Sequence, residues 1–289
     1  MARPKGHDPV LTARADPVRV AAVTNAIGSL LAYRELIYNL TVRDLKLKYK
    51  RSTLGVAWSL LNPLLMMVIY TIVFSVFLRA VHTPPDRPYW ALVLGGLLAW
   101  GFFASGVGGS TTAFVHSSNL VARVRFPIES LPIATVMAAF VNFLISLVIL
   151  LIVLAAVRLP LGPSLLLLPV IIIAQLVFTI GLALMVATLT VFLRDLEHLI
   201  GIGIMAFFYL TPILYPLEPG YLPRGAARVV PYLRLNPLSW FLDNYHSVIY
   251  YGTWPSLTQF GLMLAASAIS LGGGYLVFLR LRSRVSEEV

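Results

Sequence analysis

The 289-residue sequence contains no cysteine and few charged residues. Without cysteine there can be no disulfide framework, no thiolate metal site and no cysteine nucleophile. Charged residues make up 12% of the chain and hydrophobic residues 58%, whereas soluble proteins carry about twice that share of charge. This composition excludes an ordinary soluble domain and predicts a chain that lies mostly in lipid.

The motifs of several enzyme and transporter classes are also missing. No Gly-x-x-x-x-Gly-Lys-Ser/Thr sequence occurs, so the chain has no P-loop for nucleotide phosphates. The five histidines show no metal-binding spacing, and we predict no metal site, no cofactor and no catalytic residue in this chain. No charged residue lies deep in an apolar segment, as an ion-coupled transporter or an intramembrane enzyme would need. Transport would therefore require a passive pore or a channel driven by another subunit.

Six long segments contain no Asp, Glu, Lys or Arg, and each can hold one helix of about 20 residues, enough to cross a bilayer. They are Ser52–Leu78, Pro88–Ala122, Ser130–Val157, Leu159–Leu193, His198–Leu217 and Asn244–Leu279. We predict an all-α integral membrane fold with six transmembrane helices. The predicted organisation is a flexible tail (1–32), an amphipathic interfacial helix (33–53), the six-helix membrane domain (54–280) and a second tail (281–289).

The distribution of positive charge predicts the topology. The chain has 22 Lys and Arg against 12 Asp and Glu, which gives a net charge of +10. With six spans, 16 of the 22 basic residues fall on the side that holds both termini and six on the other. The positive-inside rule therefore predicts cytoplasmic termini. The charge is a topology signal, and we expect no nucleic-acid partner.

Residues 33–53 are predicted to form an amphipathic helix along the inner leaflet. Apolar and aromatic residues recur at helical spacing beside a basic ridge of Arg43, Lys46 and Lys50. The same pattern fits a positively charged stop before the first span, and the two interpretations are compatible.

Two predicted cytoplasmic connections carry polar residues. In the first, Asn119 could cap a short helix that Pro127 ends, although a plain hairpin turn is equally compatible. The second is so short that Arg194, Asp195 and Glu197 must stay near the bilayer surface. There they would pair with each other or with the basic helix, or form a solvated turn.

The segment between Leu217 and Trp254 is apolar, rich in aromatic residues and broken by prolines. Its apolar part, Val229–Phe241, is too short to span. Irregular backbone is tolerated at membrane depth where protein or a wet cavity surrounds it. We therefore predict short re-entrant helices that dip from the outer face, with an interfacial aromatic belt accounting for some of the rings.

Five motifs in order along residues 33–280 resemble the permease subunits of type-2 ABC exporters for polysaccharides, the O-antigen and teichoic-acid group. They are Val42–Pro63, Asn119–Pro127, Arg194–His198, Tyr209–Pro216 and Leu235–Pro237. The resemblance implies a homodimeric permease in the bacterial cytoplasmic membrane that exports a lipid-linked glycan. Its implied partners are two copies of a separate ATPase, which binds the ATP and Mg.

The resemblance also implies roles for residues. Val229–Phe241 would be the re-entrant outer gate. The ATPase-coupling helix would comprise Asn119, Leu120, Val121, Arg123, Arg125, Phe126 and Pro127. The interfacial gate that meets the substrate's diphosphate head group would comprise Arg43, Lys46, Lys50 and Arg51. A cytoplasmic polar cluster would comprise Arg194, Asp195 and Glu197.

Aromatic rings with polar edges suit a path that must hold a sugar weakly and let it slide. The predicted glycan-path aromatics are Trp58, Phe208, Tyr209, Tyr215, Trp240 and Tyr245. Two alternatives remain open at this point. One is a drug or small-molecule exporter permease, which shares the helix layout. The other, more remote, is a membrane glycosyltransferase or acyltransferase, which would need a carboxylate or histidine in a cavity; the candidates near the outer face are Glu218, Asp243 and His246.

Overall fold

The computed structural model describes residues 33–50, 52–77, 87–115, 127–159, 161–215 and 228–288. All regular secondary structure in these residues is helical. The α-helices are α1 (Arg34–Tyr49), α2 (Trp58–Thr71), α3 (Tyr89–Ser110), α4 (Ser130–Ala156), α5 (Leu168–Phe192), α6 (Leu196–Leu210), α7 (Val230–Leu233), α8 (Pro237–Tyr245) and α9 (Leu257–Glu288). Two 3₁₀ turns, Gly55–Ala57 and Pro163–Leu167, precede α2 and α5, and two π-helical turns, Ile72–Phe77 and His246–Tyr251, continue α2 and α8.

Four helical segments in the described residues are long and apolar enough to cross a membrane. They are α3, α4, α5 with its preceding turn, and α9 as far as Val285. The predicted all-α membrane fold is thus confirmed, and the chain is a multi-pass membrane protein. Helices α2 and α6 are apolar but shorter than these four. Helix α6 ends at Leu210 because Pro212 follows closely, and the residue before that proline, Thr211, takes an extended conformation.

Helix α3 forms the centre of the bundle. It packs against α2, α4, α5, α6 and α8, and most of its length is buried. A Cβ atom on Gly106 would lie 2.8 Å from Cγ2 of Thr179 on α5. The glycine is therefore used for close helix packing, which is the common use of small residues in membrane helices.

Helices α5 and α9 make the most extensive helix contact in the described residues. Their backbones touch at Gly181 and Gly274, and any Cβ on Gly274 would overlap the carbonyl oxygen of Gly181. Two hydroxyls on α9 also bond to backbone carbonyls of α5. Ser267 donates to Ala174 at 2.8 Å, and Ser270 donates to Phe178 at 2.7 Å.

A separate apolar cluster closes one end of the bundle, which we call the α1 end. Its buried members come from five helices or their flanking turns: Leu40, Phe114, Ile128, Leu131, Ala134, Ala187, Phe278 and Val285. Because this cluster joins α1 to the last turns of α9, both ends of the described chain lie at the same end of the bundle. Helix α9 continues without a break through residues 281–288, so the predicted second tail is helical as far as Glu288.

Helix α1 packs lengthwise along α4. Thr135 donates to Asp44 at 3.5 Å, and Tyr49 donates to Asn142 at 2.8 Å, so α1 and α4 stay in register over more than a turn. Asn142 lies 12 residues into α4, about 18 Å along its axis. Leu40 is buried whereas Tyr38 and Leu47 are exposed. Polar partners on α4 therefore hold α1 against the bundle.

Candidate functional site

The basic ridge predicted on α1 lies along one groove. Arg43, Lys46 and Lys50 line a groove of about 520 Å³ together with Asn39, Val42 and Leu47. The guanidinium of Arg43 forms an ion pair with Asp44 at 2.9 Å. The predicted head-group residues are thus brought together as a cationic surface, except for Arg51, which lies outside the described residues.

The opposite side of α1 carries Lys48, which the sequence analysis did not single out. Lys48 lines two adjoining cavities, of about 350 and 510 Å³, between α1 and the helices α3 and α4. Burial lowers the pKa of the Lys48 ammonium below its ordinary value. Its position follows from helix geometry, since a residue two places from Lys46 and from Lys50 points about 200° away from both.

The turn from α1 into α2 is anchored to α4 beside these cavities. Tyr49 bonds to Asn142, and the Ser146 hydroxyl donates to the backbone carbonyl of Ser59 at 3.4 Å. Trp58, one of the predicted path aromatics, lines the smaller cavity and is 45% exposed. It lies at the α1 end, away from the other predicted aromatics.

Three of the predicted path aromatics meet at the far end of α6. The ring of Phe208 packs against Tyr209 at a centroid distance of 5.1 Å and against Trp100 at 5.8 Å. The Tyr215 hydroxyl donates to the backbone carbonyl of Tyr209 at 3.0 Å. Tyr209 is 57% exposed, so its ring is open to a ligand.

Tyr245 and Trp240 do not join this group. Tyr245 is 1% exposed, and its hydroxyl donates to the side-chain oxygen of Gln175 at 2.8 Å. The Gln175 amide nitrogen in turn donates to the carbonyl of Ala99 at 2.8 Å, so α3, α5 and α8 are linked through one buried side chain. The Trp240 indole donates to the carbonyl of Arg234 at 2.8 Å. Tyr245 is therefore a buried core residue of this subunit.

The predicted outer gate consists of two parts with different packing. Helix α7 is exposed, with Tyr232 at 73%. Helix α8 is mostly buried and begins at a capped terminus, where the Asn236 side chain accepts from the Leu238 amide and Pro237 occupies the first turn. The Asn236 amide also donates to the Thr211 hydroxyl at 2.8 Å, which ties α8 to the end of α6.

The turn that follows α8 is held to the start of α3. The Arg87 guanidinium donates to the Tyr250 carbonyl, and the Tyr250 hydroxyl donates back to the Arg87 carbonyl at 3.0 Å. The turn before α5 packs against the end of this segment, where a Cβ on Gly162 would overlap the carbonyl oxygen of Gly252. This end of α8 is therefore fixed on two sides.

The two predicted cytoplasmic connections are described to different extents. Arg194, Asp195 and Glu197 are exposed, and none of their side chains pairs with another described residue, which matches a solvated turn. The predicted coupling residues Asn119, Leu120, Val121, Arg123, Arg125 and Phe126 lie outside the described residues. Pro127 is described and accepts a hydrogen bond from the Ser130 hydroxyl at 2.6 Å, just before α4 begins.

Helices α2 and α6 leave much of their apolar surface uncovered. Neither contains a buried residue. The exposed apolar side chains are Leu65, Met66, Val68 and Ile69 on α2, and Leu199, Ile202, Met205 and Phe207 on α6. These faces must contact lipid or another protein surface.

Comparison with known proteins identifies the family. Residues 35–250 match the family described as ABC-2 type transporter. The chain is 32% identical over 263 residues to the O-antigen export system permease protein RfbA of Myxococcus xanthus, covering 91% of this chain and 98% of that protein. It is 31% identical over 261 residues to the protein of the same description from Klebsiella pneumoniae, covering 88% of this chain and 94% of that protein. The resemblance found in the sequence motifs is thus confirmed, and the chain belongs to the ABC-2 type transporter family.

Proposed function

We propose that this chain is the permease subunit of an ATP-driven exporter that moves a lipid-linked polysaccharide from the cytoplasmic side of the membrane. The observation that carries this proposal is the near full-length match to relatives named as O-antigen export permeases. These relatives favour a polysaccharide exporter over a drug or small-molecule exporter.

The active unit is a dimer of two identical copies. The uncovered faces of α2 and α6 support this step, because they also carry exposed aromatic side chains, Trp58 and Tyr209. Between two copies these rings would line a path, and aromatic faces contact sugars without binding them tightly.

The energy comes from a separate ATPase, two copies of which bind ATP and Mg and dock on residues 119–127. A chain without a P-loop would need such a partner to use ATP. The residues on either side of the docking segment, Phe114 and Ile128, belong to the cluster that also holds Leu40 of α1. A movement of the docking segment would therefore be transmitted to α1 through direct packing.

The α1 end is the cytoplasmic side, and the membrane is the bacterial cytoplasmic membrane. The shared position of the two described chain ends and the basic charge of that side support this orientation. The groove lined by Arg43, Lys46 and Lys50 then meets the diphosphate of the lipid carrier, since basic side chains pair with phosphate oxygens at an interface.

The test is transport by proteoliposomes that contain the chain and its ATPase partner. We expect movement of a lipid-linked polysaccharide into the lumen that depends on ATP. The chain alone should hydrolyse no ATP, and Phe126→Ala should leave ATPase activity but reduce export. Export of hydrophobic drugs without polysaccharide would refute the proposal.

The head-group assignment needs a separate experiment. Replacing Lys46 and Lys50 by glutamine should weaken stimulation of the ATPase by the lipid diphosphate, while Arg158→Gln, at the opposite end of the bundle, serves as the control. Equal stimulation of the ATPase in the original chain, the Lys46/Lys50 variant and the Arg158→Gln control would show that the groove does not bind the substrate.

The topology can be tested by labelling. Because the chain has no cysteine, single cysteines can be labelled from either side without background, one at Ser118 and one at Tyr232, which is 73% exposed. Labelling of both from the same side would contradict six crossings.

A further inference from the structure

Glu129 is the one carboxylate residue that is buried in the described part of the chain. It is 5% exposed, whereas the other Asp and Glu residues whose exposure the structure describes are half-buried or exposed. Its Oε2 atom has no hydrogen-bond partner among the described residues. Burying a carboxylate costs free energy unless a hydrogen bond or an opposite charge compensates. Packing alone therefore does not explain a charged side chain at this position.

Capping of helix α4 does not explain Glu129 either. It is the residue before the helix, but its side chain makes no capping hydrogen bond to the first turn. The turn is closed instead by Ser130, whose amide and hydroxyl donate to the Pro127 carbonyl at 3.0 and 2.6 Å. The positive end of the α4 dipole favours a carboxylate here, but this effect is smaller than the cost of taking the charge out of water.

Glu129 lies where the proposed docking segment meets the end of helix α9. That segment ends two residues earlier, at Pro127. Ile128, which precedes Glu129, belongs to the buried apolar cluster at the α1 end, and so do Phe278 and Val285 of α9. A displacement of the docking segment would therefore move the carboxylate relative to α9.

Helix α9 carries a positive charge close to this carboxylate. Tyr275 of α9 interacts electrostatically with both Glu129 and Arg282, so the two opposite charges lie near the same hydroxyl. Tyr275 and Arg282 are seven residues apart and therefore share a helix face. The Tyr275 ring packs against the buried Phe278 at a centroid distance of 6.3 Å, which turns this face toward the cluster. Opposite charges attract more strongly across a protein interior than across water.

We propose that Glu129 couples the docking segment to helix α9 through the attraction between its carboxylate and the Arg282 guanidinium. This inference rests on the proposed function, in which a separate ATPase docks on residues 119–127. When the ATPase displaces that segment, the carboxylate moves with it, and separation from the guanidinium would leave a buried charge uncompensated. Helix α9 therefore follows, and α5 with it, because their backbones touch at Gly181 and Gly274. Glu129 is thus a positioning residue that acts through the helices.

The proposal can be tested by measuring polysaccharide exported per ATP hydrolysed, in proteoliposomes that contain the full chain and its ATPase partner. Glu129→Gln keeps the size of the side chain and removes its charge. We expect this variant to bind the ATPase and to hydrolyse ATP as the original chain does, while export per ATP falls about tenfold, within the usual range of coupling between two sites. Glu35→Gln is the same change at an exposed position of α1, and as the control it should leave export per ATP unchanged.

A change at the other charge keeps the test decisive even if Glu129→Gln folds poorly. Arg282 is exposed, so Arg282→Gln should leave the fold intact and lower export per ATP by a similar factor. The variant with both changes should be no worse than either alone, because each change removes the same attraction.

Three results would overturn the proposal: unchanged export per ATP in Glu129→Gln, unchanged export per ATP in Arg282→Gln, or losses that multiply in the double variant. Failure of the proposed function looks different. In that case the original chain would export no polysaccharide with its ATPase partner.

Discussion

Replacing Gln175 by leucine should loosen α8 from the rest of the bundle. Gln175 is fully buried and accepts from Tyr245 on α8 while donating to the Ala99 carbonyl on α3. Interhelical hydrogen bonds in membranes contribute about 0.6 kcal/mol on average and up to about 1.7 kcal/mol. Leucine removes two of them and leaves the buried Tyr245 hydroxyl without its partner, which costs a further ~1 kcal/mol. We expect the free energy of unfolding to fall by roughly 2–3 kcal/mol.

The assay is a double-mutant cycle in mixed micelles, followed by fluorescence as denaturant is added. Tyr245→Phe alone should cost about 1 kcal/mol. In the double variant the cost should be about 1 kcal/mol lower than that of Gln175→Leu alone, because the hydroxyl that needed a partner is gone. Gln259→Leu, the same change at a partly exposed position, should cost less than about 1 kcal/mol. Additive effects of the two buried changes would refute the network and leave only separate packing losses.

Other predictions follow from single contacts. Gly274→Ala should separate α5 from α9, because its methyl group would overlap the Gly181 carbonyl. We expect the free energy of unfolding to fall by about 1–3 kcal/mol. A melting temperature equal to that of the original chain would contradict the backbone contact. Tyr49→Phe removes the bond to Asn142 and should release the end of α1, seen as faster proteolysis after Lys48 or Lys50 with little change in global stability. Asn236→Ala removes the cap of α8 and its bond to the end of α6; it should cost about 1–2 kcal/mol, whereas Asn236→Asp, which keeps the cap, should cost less.

The sequence was sufficient for the membrane fold, because lipid imposes a simple rule on charge. The charge-free segments Pro88–Ala122, Ser130–Val157 and Leu159–Leu193 contain α3, α4 and α5, and the last segment, Asn244–Leu279, contains most of α9. The lengths of α2 and α6 did not follow from that rule. Pro212 ends α6 early, so a local backbone effect shortens this predicted span, whereas α2 continues as a π-helical turn to Phe77.

The candidate site was predictable only where it depends on helical spacing. Arg43, Lys46 and Lys50 share a groove because residues three, four and seven apart share a helix face. The same geometry places Lys48 on the opposite side of α1, so its position also follows from helical spacing. Tyr245 could not be assigned from sequence, because an aromatic residue in an apolar segment has the same pattern in a core and along a path. Gln175 indicates the core position of Tyr245, because a polar side chain deep in a span needs a hydrogen-bond partner there.

The backbone contact between Gly181 and Gly274 has a mechanical consequence. Two helices that touch without intervening side chains cannot slide or tilt independently, so α5 and α9 behave as one rigid plate. Helix α8 is fastened to the same plate through Gln175, and the turn after it is fastened to α3 through Arg87. Any opening of the subunit must then come from the loosely packed helices α2, α6 and α7, which would move relative to the rigid α3, α5, α8 and α9.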